Sequence, residues 1–291
     1  MKKRVLVTGV NSYIGNAFRT YMQQYTDEAV IEGVSVRNDA WKALDFSGFD
    51  SIFDVAGIAH ADTGHVSEEV KKQYYAVNCD LTVDLAKKAK DEGVKQFIFM
   101  SSAIVYGDSA PIGRERIITQ DTLPNPADFY GDSKLQAERG ILPLGSESFK
   151  IAILRPPMIY GKNSKGNYPV LSRMAQKLPV FPKVENCRSM LYVGNLVEFV
   201  RLVIKNEEEG IFFPQNAQYS NTSRLVQMIA EAHGKRVVLV GGCTVPLALL
   251  SQATGLVNKA FGSLAYEMSM SDYKEDYRKY SLEESIRLTE G

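Results

Sequence analysis

Arg4-Val5-Leu6-Val7-Thr8-Gly9-Val10-Asn11-Ser12-Tyr13-Ile14-Gly15 runs from a short apolar segment through a glycine turn into a helical pattern. Val5, Leu6 and Val7 predict a strand buried on both faces. Gly9 permits a tight turn, and from about Ser12 the apolar residues Ile14, Ala17, Phe18, Tyr21 and Met22 fall at helical spacing. A strand, a turn and a helix in immediate succession aim the helix's end N–H groups and positive dipole end above the sheet. That is where a dinucleotide pyrophosphate binds. The glycines keep the spacing Gly-x5-Gly, with Ser12 in the middle place that glycine usually takes.

Working outward, Ala29 to Val36 reads as a second strand, ending at Arg37-Asn38-Asp39. The tip of such a strand meets the adenosine ribose. An acidic residue there accepts bonds from a free 2′-hydroxyl, and an arginine accommodates a 2′-phosphate. Ser35 holds the acidic place and Arg37 follows it, so Arg37 reads either as a solvated charge or as a contact favouring NADP. Ser51 to Val55 is a further strand, running into the small residues Ala56-Gly57 that let a cofactor approach the backbone. His60 and His65 have no ligand set at metal spacing and read as surface-loop histidines. Glu68 to Glu92 predicts one long helix, with Gly93 as its stop. Gln96 to Met100 is another buried strand, ending at Ser101-Ser102. This alternation predicts an α/β fold with a parallel sheet. Asp108 to Phe129 reads as a loop over the sheet's edge, Ile151 to Arg155 as a strand, Leu191 to Val193 as a short strand and Leu196 to Ile204 as a helix.

The bulk properties narrow the class. Lysine plus arginine balance aspartate plus glutamate, 34 against 34 in 291 residues, which gives no reason to expect a nucleic-acid surface. Cys79, Cys187 and Cys243 are widely spaced, with no pair suited to zinc or a disulfide framework. No metal site is expected, and a reducing cytoplasm is the default compartment. The apolar run after Met1-Lys2-Lys3-Arg4 is too short for a secretory signal. Val237 to Asn258 carries no charge over 22 residues, long enough to span a bilayer. Gly241, Gly242 and Pro246 divide it into a strand and a helix, so it reads as part of a soluble domain without stable membrane insertion. The Leu247-Ala248-Leu249-Leu250 face remains open to peripheral membrane contact.

Tyr130 and Lys134 are four apart and share a helix face. A tyrosine of pKa near ~10 is a poor base at neutral pH. An adjacent ammonium and an oxidised nicotinamide ring would favour the phenolate, and reaching pKa ~7 takes about 4 kcal/mol. Ser102, at the end of a neighbouring strand, can hold the reacting oxygen. In this division Tyr130 shuttles the proton, Lys134 tunes it and binds the nicotinamide ribose, and a nicotinamide cofactor carries hydride.

With these residues assembled, the chain resembles the extended short-chain dehydrogenase/reductases, the NAD-dependent nucleotide-sugar epimerase/dehydratase family. The carriers are Thr8-Gly9 to Gly15, Ala56-Gly57, Asn78, Ser101-Ser102 to Tyr106-Gly107, Tyr130 to Lys134, Leu154-Arg155-Pro156, and Arg188 with Leu191-Tyr192-Val193. The resemblance extends to Ser281–Arg287 and implies a Rossmann-type doubly wound parallel sheet with a smaller C-terminal substrate domain. The expected division is 1–162 plus a return segment at about 186–212, against about 163–185 and 213–291. It also implies NAD or NADP held by Gly9, Asn11, Ser12, Tyr13, Ile14, Gly15, Arg37, Asp45, Ala56, Gly57, Asn78, Tyr130, Lys134 and Pro157. Catalysis falls to Ser102, Tyr130 and Lys134, and the nucleotide sugar, a UDP-sugar by preference, to Ser102 and Arg188. The Glu68–Glu92 and Tyr130 helices would suit a homodimer.

The departures shape the expected activity. Dehydratases of this family carry Asp-Glu after the catalytic hydroxyl residue, where this chain has Ala103-Ile104, so a 4,6-dehydratase is not expected. The sugar-contacting Asn of the epimerases is replaced by Met158, and the usual Asp pair by Gly194-Asn195. Two enzymatic readings stay open, a nucleotide-sugar 4-epimerase and an NADPH-dependent 4-ketosugar reductase. A third is a dinucleotide sensor without turnover.

Overall fold

A computed structural model describes residues 2–59, 66–253 and 255–291; His60 and His65 lie outside the described residues. The chain begins with β1 (Lys3–Thr8), α1 (Tyr13–Met22), β2 (Ala29–Val34), β3 (Ser51–Asp54), α2 (Glu68–Tyr75), α3 (Leu81–Asp91) and β4 (Gln96–Met100). Next come β5 (Ile117–Ile118), α4 (Phe129–Ile141), β6 (Lys150–Leu154), β7 (Met158–Tyr160), α5 (Tyr168–Lys177), β8 (Val180–Pro182) and β9 (Met190–Tyr192). The last elements are α6 (Val193–Lys205), β10 (Gly210–Phe212), α7 (Thr222–Ala232), β11 (Val238–Val240), α8 (Thr244–Ala253), α9 (Gly255–Phe261), β12 (Ala265–Tyr266) and α10 (Leu282–Glu290).

The first compact unit comprises Met1–Gly107, Leu123–Pro156 and Leu196–Pro214. Its sheet has six parallel strands in the order β10-β6-β4-β3-β1-β2. Every residue of β3 and β4 is buried, as expected of inner strands covered on both faces, whereas β2 at the edge alternates toward solvent. From β1 the chain goes to one side for β2 and to the other for β3. The strand order therefore reverses between β1 and β3, and a crevice opens at their carboxyl ends. Leu6, Ile52, Phe97 and Ile153 carry the sheet's share of one core, into which Trp41 and Phe46 also pack. The helix predicted over 68–92 is observed as α2 and α3 joined by a π turn, Ala76–Asp80, which buries Asn78. Such single π turns concentrate at functional positions because the widened turn redirects a side chain.

The second unit comprises Asp108–Thr122, Pro157–Asn195 and Gln215–Gly291. It holds three two-stranded parallel sheets, β8 with β11, β5 with β12 and β7 with β9. Tyr160, Tyr168, Phe181, Met190, Val226 and Ile229 lie in its core, with Tyr160 stacked on Tyr168 at 5.1 Å between centroids. These boundaries differ from the expected division at 162 and 186. Within the segment read as a loop, Asp108 to Phe129, the stretch Asp108–Thr122 joins this unit and supplies β5, which pairs with Ala265–Tyr266. Pro156-Pro157 ends the sheet strand, so β7 pairs with β9 instead of extending β6. The uncharged run Val237 to Asn258 divides as expected, into β11 and α8, with Pro246 early in the helix. Among the described residues no helix is long and apolar enough to cross a membrane.

Candidate active site

The glycine turn is built by close approach. Gly9 has φ +64°, and a Cβ there would lie 3.0 Å from the backbone N and Cα of Ala56. Ser12 replaces the usual middle glycine because it caps α1: its Oγ accepts from the Gly15 N–H at 3.0 Å, while its own N–H donates to the Gly9 carbonyl at 2.7 Å. Gly15 is in turn required, since a Cβ would press on Ser12 Oγ at 2.8 Å. Asn11, Ser12, Tyr13 and Ile14 thus form the helix start at the carboxyl end of β1, beside Ala56 at the end of β3.

The buried Asn78 ties the segment after β3 to α4. Its Nδ2 donates to the Ile58 carbonyl (3.0 Å) and to Ser133 Oγ (3.2 Å), and its Oδ1 accepts from the Ile58 N–H (2.8 Å). A Cβ on Gly57 would meet Asn78 Oδ1 at 3.1 Å and Lys134 Nζ at 3.2 Å, so only glycine leaves the lysine room. Lys134 is buried, donates to the Met100 carbonyl at 3.0 Å and lies 4.7 Å from the Phe99 ring centroid. Burial lowers its pKa to about 8, and the fields of Asp54 and Glu138 oppose that fall. Asp54 was not singled out by sequence reasoning. Its carboxylate is fully buried at the end of β3 and accepts from Thr8 Oγ1, Thr82 Oγ1 (3.0 Å) and the Ala56 N–H (3.2 Å), and burial pushes its pKa up.

Ser102 caps the short 3₁₀ turn Ala103–Tyr106, with its Oγ accepting from the Ile104 N–H at 3.2 Å. The Tyr130 phenol feels this hydroxyl, which lowers its pKa, and the Tyr130 ring packs edge-on against Tyr74 at 6.0 Å. The phenol does not show the expected depression by Lys134. Burial, the largest influence, raises it to about 12, with Tyr74 adding to the rise and the Ser102 hydroxyl opposing it. Lys134 is not among the groups that shift the phenol; its ammonium donates to the Met100 carbonyl.

Behind this group lies an ion pair that the sequence reading left without a role. Glu138 and Arg155 are both buried and joined by bonds of 2.5 to 3.2 Å; Glu138 also accepts from Ser101 Oγ, and Arg155 donates to the Tyr106 hydroxyl at 2.7 Å. The signal was present, since Tyr130, Lys134 and Glu138 are spaced i, i+4, i+8 along one face of α4.

Other expected residues stand elsewhere. Arg37 is exposed, three positions beyond the end of β2. Asp45 is exposed and its carboxylate accepts from the Ser47 N–H at 2.8 Å; the Ser47 hydroxyl first, and this N–H second, hold its pKa below the usual range. Pro157 and Arg188 belong to the second unit. There Arg188 lines a cavity of about 190 Å³ walled by Met158, Leu171, Met190 and Leu225. Its Nη1 donates to the carbonyls of Lys259 (2.9 Å) and Gly262 (3.0 Å), and burial lowers its pKa. Ser220 also lines this cavity, with a buried Oγ that has no hydrogen-bond partner among the described residues. Asn195, in the usual place of an acid, is structural: it holds the Tyr280 backbone at both N–H and carbonyl, 3.0 Å each. Among the described residues, no three His, Cys, Asp or Glu side chains gather as metal ligands.

The model of the NAD dependent epimerase/dehydratase family matches residues 5–213. The chain belongs to this family. It is 29% identical to UDP-glucose 4-epimerase of Vibrio cholerae over 255 residues, 81% of this chain and 77% of that one. Two solved structures share the fold. The dTDP-4-dehydrorhamnose reductase of Bacillus anthracis strain Ames, in complex with NADP, has a TM-score of 0.70 and 17% identity, with 99% of each chain covered. The UDP-glucuronic acid 4-epimerase of Bacillus cereus, in complex with NAD, has a TM-score of 0.71 and 15% identity, covering 98% of this chain and 96% of that one. Membership makes the cofactor NAD or NADP. The first unit fits such a dinucleotide on its own geometry. At Gly9 and Gly57 any side chain would fill space against Ala56 and Lys134, and the start of α1 stands at the strand-order reversal.

Proposed function

We propose that this member of the family is a nucleotide-sugar 4-epimerase, acting on a UDP-sugar by preference. The observation carrying this reading is the setting of Ser102 just after β4, close enough to influence the Tyr130 phenol, with Lys134 one helical turn beyond Tyr130 and bonded to the Met100 carbonyl at the end of the same strand. Similarity to a UDP-glucose 4-epimerase supports the nucleotide and the carbon. The dinucleotide, when bound, supplies hydride acceptance and return. The chain's own residues do the rest. Tyr130 moves the proton at the sugar's O4, and Ser102 holds that oxygen. Lys134 steadies the cofactor's ribose beside Gly57, and Asn78 fixes the segment on which Gly57 lies. For a phenol raised to about 12 by burial, the donor role in returning the proton comes more readily than the base role. In the second unit Arg188 would meet the diphosphate with Nε and Nη2, its Nη1 being held by the Lys259 and Gly262 carbonyls. Ala103 and Ile104 leave no acid–base pair for eliminating water, which argues against a 4,6-dehydratase.

The second reading, an NADPH-dependent 4-ketosugar reductase, is favoured by Arg37, exposed just beyond β2 with no acidic residue at the strand tip. Denaturing the purified protein and identifying the released dinucleotide, followed by a screen of UDP-, dTDP- and GDP-sugars, separates the two. Retained NAD and no net change in NADH accompany epimerisation; stoichiometric loss of NADPH marks the reductase. Arg37→Ala gives an independent check. A charge-assisted contact of about 1.5–3 kcal/mol implies NADP affinity about 10- to 100-fold weaker, with NAD affinity unchanged. Equal losses for both would make Arg37 a bystander.

A further inference from the structure

The small sheet of β8 and β11 is apolar on both sides. Phe181 and Leu239 pack into the core of the second unit, as one face of a strand pair should. The opposite face is also apolar, and it is open: Val180 is 52% exposed, Val238 50% and Val240 45%, with Val180 and Val238 directly paired across the two strands. The helix that follows repeats the pattern. In α8, Leu247 and Ala248 pack inward, while Val245 and Leu249, four apart on another side, are 69% and 64% exposed. Ordinary surfaces scatter such residues singly; here they gather on a few linked elements.

Charge supplies the second observation. The whole chain balances its charges, but residues 168–183 and 234–261 carry Arg173, Lys177, Lys183, Lys235, Arg236 and Lys259 and no acidic residue. All six are exposed. The Lys235 ammonium donates to the Gln176 carbonyl at 2.7 Å, and the Lys183 N–H donates to the Val240 carbonyl at 2.8 Å, so cations border the strand pair at both ends. Exposed aliphatic side chains bordered by cations match an anionic lipid surface. A two-fold copy of this chain would set the six cations against six more.

We propose that this face of the second unit docks peripherally on an anionic bilayer, with Val238, Val240, Val245 and Leu249 at the headgroup–acyl boundary and Lys183, Lys235 and Arg236 over the headgroups. The contact is superficial, and none of these seven residues belongs to the catalytic set or lines the Arg188 cavity. The test is flotation of the full chain with phosphatidylcholine vesicles, with and without phosphatidylglycerol. The expected result is flotation with the anionic vesicles only, declining as salt rises. The double substitution Val245→Glu/Leu249→Glu should weaken it about tenfold, and Lys235→Gln/Arg236→Gln about fivefold or more. Both variants change exposed side chains and should keep the parent's melting temperature. No flotation with anionic vesicles, or flotation that neither variant weakens, overturns the proposal. So does a dimer in sedimentation that Val245→Glu/Leu249→Glu splits, since a second copy would then cover the face.

Discussion

The carboxyl end of the six-stranded sheet and the cavity of the second unit treat buried polar groups in opposite ways. At the sheet, Asn78, Lys134, Asp54 and Glu138 are all buried, and each is held by named partners: Ile58 and Ser133, Met100, Thr8 with Thr82, and Arg155 with Ser101. In the cavity, Arg188 spends one nitrogen on two main-chain carbonyls, Ser220 Oγ has no partner among the described residues, and much of the wall is Met and Leu. The first region is an arrangement of fixed charges that loses heavily when any member is removed. The second is a largely apolar hollow in which a buried hydroxyl has no partner among the described residues.

That contrast orders the expected effects of substitution. The largest belongs to Tyr130→Phe, which removes the proton carrier. Turnover should fall about 10²–10⁴-fold while dinucleotide affinity stays within about twofold. Steady-state rates and cofactor titration check this, and retained activity above a few per cent would remove Tyr130 from the mechanism. Next is Glu138→Gln, which leaves the buried Arg155 without its counter-charge. Urea unfolding should show a loss of about 3–5 kcal/mol. A loss under about 1 kcal/mol would erase the distinction between the regions.

Lys134 yields a pH test of slightly smaller size. Its pKa is about 8 in the folded chain against an ordinary value of 10.5, so between those values the unfolded chain holds more protons. Stability therefore carries the full penalty of the buried charge below pH 8 and rises with pH through the window up to 10.5. The gain is about 3 kcal/mol and should be missing in Lys134→Met, as urea unfolding at both ends of the window would reveal. A constant difference between the two proteins across the window would mean that the folded lysine keeps its proton. The smallest effect is expected in the cavity. Ser220→Ala removes a hydroxyl without a partner and should shift stability by no more than about 0.5 kcal/mol in thermal unfolding. A loss several times larger would mean that Ser220 is held after all.

Much of the first unit was legible because its signals are local. Val5 to Val7, Gly9 and the cap at Ser12 lie within one strand–turn–helix, and Tyr130 with Lys134 lies within one helix. Periodicity and turn chemistry report such neighbours directly. Glu138 sat on the same helical face, yet its meaning depended on Arg155, which reaches it from another element. For Tyr130, whose expected depression rests on Lys134 together with an oxidised nicotinamide ring, local spacing is likewise an incomplete guide. Spacing put a lysine beside it but could not say that Lys134 would turn to the Met100 carbonyl, or that burial would raise the phenol.

What the amino-acid order determined by itself, then, was the set of elements and the residue types at the end of the sheet, because these follow from contacts a few positions apart. Only the folded chain decided where the units divide, since Ile117 meets Ala265 and Met158 meets Met190 through pairings no local pattern encodes. It also decided which charges are held and which are open, and which strand face lies uncovered, because burial is set by elements that arrive from far along the sequence.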